Sequence, residues 1–62
     1  MDGMTLSELL NTPMFTKDTL CNLNIGDSKL QSIKEIQTNH KDLLNKKVQR
    51  WSFTNHILNI DL

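Results

Sequence analysis

Apolar residues recur at helical spacing along the first half of the chain. Leu6, Leu9 and Leu10 make one stripe. The run Thr5-Leu-Ser-Glu8 ahead of it is a capping box. Its Thr5 hydroxyl accepts from the Glu8 N–H while the Glu8 carboxylate reaches back. Pro13 cannot continue a helix and disfavours helix at Thr12, so the first helix is predicted over about 5–12. Thr16 is an N-cap residue, and Phe15 before it is expected to pack on Leu20 as a hydrophobic staple. A second helix is predicted over about 17–23, with Asn24 in the left-handed position that ends it. Gly26 relaxes the backbone before Asp27 or Ser28, either of which would cap a third helix. Leu30, Ile33 and Ile36 start its stripe, and Leu43, Leu44, Val48 and Trp51 resume it. Thr38, Asn39 and His40 weaken the middle, so the pattern allows one helix from 28 to about 50 or two broken near Asn39. The tail 51–62 fits two elements. Phe53, Ile57 and Ile60 share a helix face, while its β-branched and aromatic residues suit an edge strand. The expected fold is all-α, a single small domain of three or four helices over 1–62.

Within that pattern the stretch from Leu20 to Ile33, L-C-N-L-N-I-G-D-S-K-L-Q-S-I, sets two short helices around a tight turn with one buried apolar residue, Ile25. Over residues 17–36 it resembles the helix-turn-helix of small bacterial and phage regulators. The matching features are Leu20 and Leu23, the turn residue Asn24, Ile25, and Leu30 with Ile33 on the second helix. That family usually carries a small residue where Leu20 stands and Gly where Asn24 stands. The resemblance implies a helix-turn-helix-like core over about 5–37 whose second helix enters the major groove. It implies a small DNA-binding transcriptional regulator of phage or mobile-element type, acting by occupancy of a DNA site. Gln31 would then pair with adenine and Lys29 with guanine. Ser28 would hold a phosphate at the helix N-terminus, and Ser32 would face the groove. Lys34, Lys41, Lys46, Lys47 and Arg50 would neutralise the DNA backbone.

Charge sharpens this picture. The formal total is zero. Residues 1–27 nevertheless carry Asp2, Glu8, Asp18 and Asp27 against Lys17, a net of −3. Residues 28–50 carry Lys29, Lys34, Lys41, Lys46, Lys47 and Arg50 against Glu35 and Asp42, a net of +4. The local sign, more than the total, decides what a surface attracts. The neutral total favours an alternative: a small inhibitor or antirepressor that binds a host or phage protein with an apolar helix face in a groove.

Size adds a second constraint. A chain of 62 residues buries only about 60% of its unfolded surface, so association is a natural source of further burial. The segment 38–62 is the expected dimerisation or partner-binding element, with Leu44, Val48, Trp51, Phe53 and Ile57 as its contacts, and a homodimer is expected. No enzyme is expected. His40 and His56 have no Cys or carboxylate at metal spacing, so neither a metal nor a cofactor is anticipated. Cys21 has no His near it in sequence, and the only glycines, Gly3 and Gly26, make no phosphate loop. The N-terminus does not read as a signal peptide, and no apolar run approaches the roughly 18 residues of a membrane span. With its lone cysteine the protein is expected in the cytoplasm, without a membrane partner.

Overall fold

A computed structural model of the chain describes residues 3–26 and 29–62. Its elements in order are helix α1 (Leu6–Leu10), strand β1 (Leu20–Asn24), strand β2 (Gln31–Ser32), helix α2 (Ile33–Asn39), a 3-10 turn (Lys41–Leu43), strand β3 (Arg50–Thr54) and strand β4 (Ile57–Asp61). The strands form one sheet in the order β2-β1-β4-β3. β1 and β4 run parallel at its centre, while β2 and β3 pair antiparallel as the edges. The fold is therefore mixed α/β, which corrects the expected all-α domain and removes its helix-turn-helix-like pair.

The correction turns on Leu20 and Leu23. Three residues apart, they share a helix face but sit on opposite faces of a strand. Leu20 is 42% exposed and Leu23 is 2% exposed, and Leu23 is buried with Cys21. The period along β1 is two, and the apparent helical spacing was an accident of a short run. Pairing with β4 decides the matter, because it sets Cys21 beside Leu58 and Leu23 beside Ile60. The chain's tail is the strand alternative, with Leu58 and Ile60 inward on β4.

The long helix expected from 28 to about 50 is also absent. Asp27 and Ser28, the expected caps, lie outside the described residues. The helix begins instead at a second capping box, Ser32-Ile-Lys-Glu35, in which Glu35 N–H donates to Ser32 Oγ at 3.2 Å and Ser32 N–H to Glu35 Oε1 at 3.1 Å. It ends at His40. Beyond it the backbone has another task. Leu6 N–H donates to Lys46 O and Ser7 N–H to Leu44 O, both at 2.9 Å. These carbonyls satisfy donors that the first turn of α1 leaves unpaired, and residues 44–46 run as a turn against the start of that helix. The Thr5–Glu8 box forms as the sequence predicts.

The core is one cluster. It joins Leu6, Leu9 and Leu10 of α1, Ile33 and Ile36 of α2, Cys21 and Leu23 of β1, Leu58 and Ile60 of β4, Phe15 and Val48. The other sheet face carries Leu20, Asn22, Asn24, Ser52, Thr54, Ile57, Asn59 and Asp61, none of them buried. No helix among the described residues is long and apolar enough to cross a membrane.

Two predictions follow the geometry. Leu23→Ala should cost about 2–5 kcal/mol by leaving a cavity. Leu20→Ala should stay within about 1 kcal/mol, as a surface change does. Equal shifts in urea midpoint for the two variants would contradict the strand register. The second concerns acid. Backbone hydrogen bonds from Thr5 and Ser32 hold the Glu8 and Glu35 carboxyls below the usual glutamate range. A carboxyl with a lowered folded pKa stabilises the fold above its unfolded value, about 4.3, and loses that contribution as pH falls through the folded value. The double variant Glu8→Gln, Glu35→Gln keeps the acceptors and removes the titration. Its urea midpoint should therefore fall less between about pH 6 and pH 3 than that of the unaltered chain.

Candidate functional site

The β3–β4 hairpin carries an aromatic surface at the margin of the sheet. Its loop is two residues long, Asn55 and His56, with φ of 53° and 63°. Both are left-handed, as in a type I′ turn, whose twist matches that of the strands it joins. Asn tolerates this backbone better than most residues. The turn sets Thr54 opposite Ile57, Phe53 opposite Leu58 and Trp51 opposite Ile60. Trp51 and Phe53 therefore face the same side of the sheet as the core, but at its outer edge.

Phe15 fills the space beneath them. It lies in the loop between α1 and β1, where its N–H donates to Thr12 O at 3.1 Å in a turn through Pro13. Its ring meets Trp51 with centroids 6.0 Å apart at 86°, and Phe53 at 5.2 Å and 63°. Both are edge-to-face arrangements, which the ring quadrupoles favour. Phe15 itself is buried, so the cluster is anchored, yet Phe53 remains 43% exposed and the neighbouring Met14 64% exposed. The expected staple of Phe15 on Leu20 is replaced by this cluster.

Beside these rings runs a free strand edge. A two-residue turn makes Thr54 and Ile57 a hydrogen-bonded pair, so by alternation Ser52 and Arg50 also turn their backbone groups toward β4. The N–H and C=O of Trp51 and Phe53 then point away from the sheet. Among the described residues no backbone hydrogen bond outside the sheet reaches either residue. At the foot of the strand, Gln49 N–H donates to Asp61 O at 2.9 Å, so Gln49 and Arg50 both face Asp61, as in a β-bulge. Arg50 Nη2 also reaches Asp61 Oδ2 at 3.1 Å.

The residues expected to contact DNA are spread over several elements. Ser28 lies outside the described residues. Lys29 sits ahead of β2 and acts electrostatically on Glu35. Gln31 and Ser32 form β2, and Ser32 is occupied as a cap. Lys34 is on α2 and Lys41 in the 3-10 turn. Lys46 and Lys47 flank the start of α1, where Lys47 bridges Thr5. Arg50 is on β3. No single groove-facing helix carries them.

Of the expected partner contacts, Trp51 and Phe53 come together. Val48 is buried in the core and Leu44 packs partly against it, while Ile57 points to the opposite sheet face. Phe15 and Met14 were not anticipated. The available signal was the alternation Trp51-Ser-Phe53-Thr, which marks a strand with one aromatic face and so a need for a third ring beneath it.

Other chemistry is sparse. A shallow hollow at the ends of β1 and β4 is lined by Asn22, Asn24, Gly26, Asn59 and Asp61, where Asn24 Nδ2 donates to Asp61 Oδ1 at 3.3 Å. Among the described residues no three His, Cys, Asp or Glu side chains are grouped to hold a metal ion. Burial pushes the Cys21 thiol up to about 11. No family model, curated protein or solved structure matches the chain.

A thiol that is both buried and reluctant to ionise is a poor nucleophile. Cys21 should therefore react with a disulfide reagent at pH 8 far more slowly in the native chain than in the urea-unfolded chain, by about a hundredfold or more. Similar rates in the two states would contradict its burial.

Proposed function

We propose that this chain works by binding another protein at the β3 margin. The observation that carries the reading is a partly exposed aromatic row on an edge strand with free backbone groups: exposed Phe53 and half-buried Trp51 above Phe15, on a strand whose outer side pairs with nothing in the sheet. Large apolar exposure and an unpaired strand edge are both unfavourable in isolation, and a partner relieves both together. An extended segment laid along β3 would hydrogen-bond to Trp51 and Phe53 and set its own alternate side chains against the rings. Trp and Tyr-like anchors of this kind carry a disproportionate share of interface energy. The action would be occupancy rather than catalysis, as in an inhibitor or antirepressor. A cytoplasmic setting suits the free thiol of Cys21.

Panning the chain against a displayed library of random peptides tests the reading. Selected peptides should alternate apolar and polar residues. Phe53→Lys puts a charge on the edge and should weaken their binding by at least about tenfold, or 1.4 kcal/mol. The reading fails if Phe53→Lys binds the same peptides unchanged. It fails also if the chain selects no peptide and instead binds random duplex DNA at about 50 mM salt with an affinity that falls steeply as salt rises.

A further inference from the structure

The two edges of the sheet differ in a way that points to a particular occupant. β2 is two residues long and runs straight into α2, so it offers almost nothing to pair with. β3 is five residues long. Between Trp51 and Thr54 it carries no Lys, Pro or acidic residue, which are the usual devices that keep an edge from pairing. The bulge at Gln49 lies before that stretch.

We infer that the occupant is a second copy of this chain, whose β3 pairs antiparallel with the first about a two-fold axis through Ser52. This rests on the reading of the β3 margin as a strand-binding surface, and it names what covers that margin until another protein's strand displaces it. The strand is self-complementary at that register; an axis at Trp51 would set Phe53 against Gln49, whose N–H is already given to Asp61 O. Outward backbone groups belong to Trp51 and Phe53. An axis at Ser52 sets Trp51 of one copy opposite Phe53 of the other, and both can exchange their N–H···O=C bonds. An axis moved by half a residue would bring inward-facing groups to the seam. An axis at Phe53 would set Trp51 against Asn55, which is in the turn.

Side chains agree with the backbone. Residues opposite each other on paired strands share a face. The Trp51–Phe53 pair would thus extend the Phe15 cluster across the seam, on the helix-bearing side, and cover rings now exposed. The two Ser52 hydroxyls would meet on the other face, where they are small and polar. Arg50, the only charge in β3, would stand opposite Thr54 of the second copy, so the two guanidinium groups are kept apart at opposite ends. Each Arg50 is already paired with Asp61 of its own chain.

A cysteine at the axis reads this register directly. Ser52 faces Ser52 across a pair that is not hydrogen-bonded, where Cα atoms lie about 4.5 Å apart. That is inside the roughly 4.4–6.8 Å span of a disulfide. Thr54 would be separated from its counterpart by roughly 13 Å, from a strand rise of about 3.3 Å per residue. With oxidised glutathione as the oxidant, Ser52→Cys should give a covalent dimer and Thr54→Cys should not. Sedimentation of the unaltered full chain should show a dimer. A chemically synthesised chain with N-methyl-Phe53, which loses one outward donor and keeps its ring, should associate at least about tenfold more weakly with an unchanged circular dichroism spectrum.

The inference is overturned if the full chain is monomeric at about 1 mM. It is overturned too if Ser52→Cys and Thr54→Cys cross-link alike, or if N-methyl-Phe53 leaves association unaltered. Monomeric chains that still take extended peptides at Phe53 would remove the second copy and leave the protein-binding reading standing. A dimer with the Ser52 register that takes no peptide would do the reverse.

Discussion

The parallel pairing of β1 with β4 is the constraint on which the rest of the molecule depends. It runs from Leu20 against Ile57 to Asn24 against Asp61. Two consequences come from that register alone. Cys21 with Leu58 and Leu23 with Ile60 make an apolar row on one face, and α1 and α2 contribute Leu6, Leu9, Ile33 and Ile36 to the core that includes it. Asn22 with Asn59 and Asn24 with Asp61 make a polar row on the other. A slip of one residue would exchange the rows and bury asparagines without partners. The edge strands hang from this pair, β2 on β1 and β3 on β4. The pairing must hold against the closure entropy of a long intervening segment, so its buried aliphatic row is where the stability of a small domain concentrates.

Legibility in the sequence followed the range of the interactions. The Thr5–Glu8 box and the stop at Pro13 are local, and they read correctly. The Ser32–Glu35 box has the same form, S-x-x-E before an apolar residue, and competes in the sequence with the cap residues Asp27 and Ser28. β1 was misread because Leu20, Leu23 and Ile25 satisfy a helical and an extended period about equally, and only β4 decides between them. Residues 44–48 look helical in isolation. Their carbonyls cap α1 from forty residues away in sequence, which no window along the chain contains. The candidate surface was half legible. Trp51 and Phe53 were singled out as contacts, but Phe15, brought by a loop, was not. The basic residues 29–50 were expected along one helix or two, and they fall instead on a strand's approach, a short helix, a turn and an edge strand.

The binding surface owes its character to the same economy. A chain of this size has three large aromatic side chains, and all three meet at one margin. Apart from Phe15 and Cys21 the buried core is aliphatic. The rings of Trp51 and Phe53 therefore stand where an incoming strand would meet them. Phe15 ties that margin to the core, so the surface is held in shape before any partner arrives, which limits the ordering cost of association.

The position of β4 at the centre of the sheet has a bearing on how the chain folds. Residues 57–61 complete the central pair from far along the chain. Without them β1 has only the two-residue β2 beside it, and the core lacks Leu58 and Ile60. Acquisition of structure thus waits on contacts of long sequence separation and proceeds in one step, rather than growing from the first helix onward.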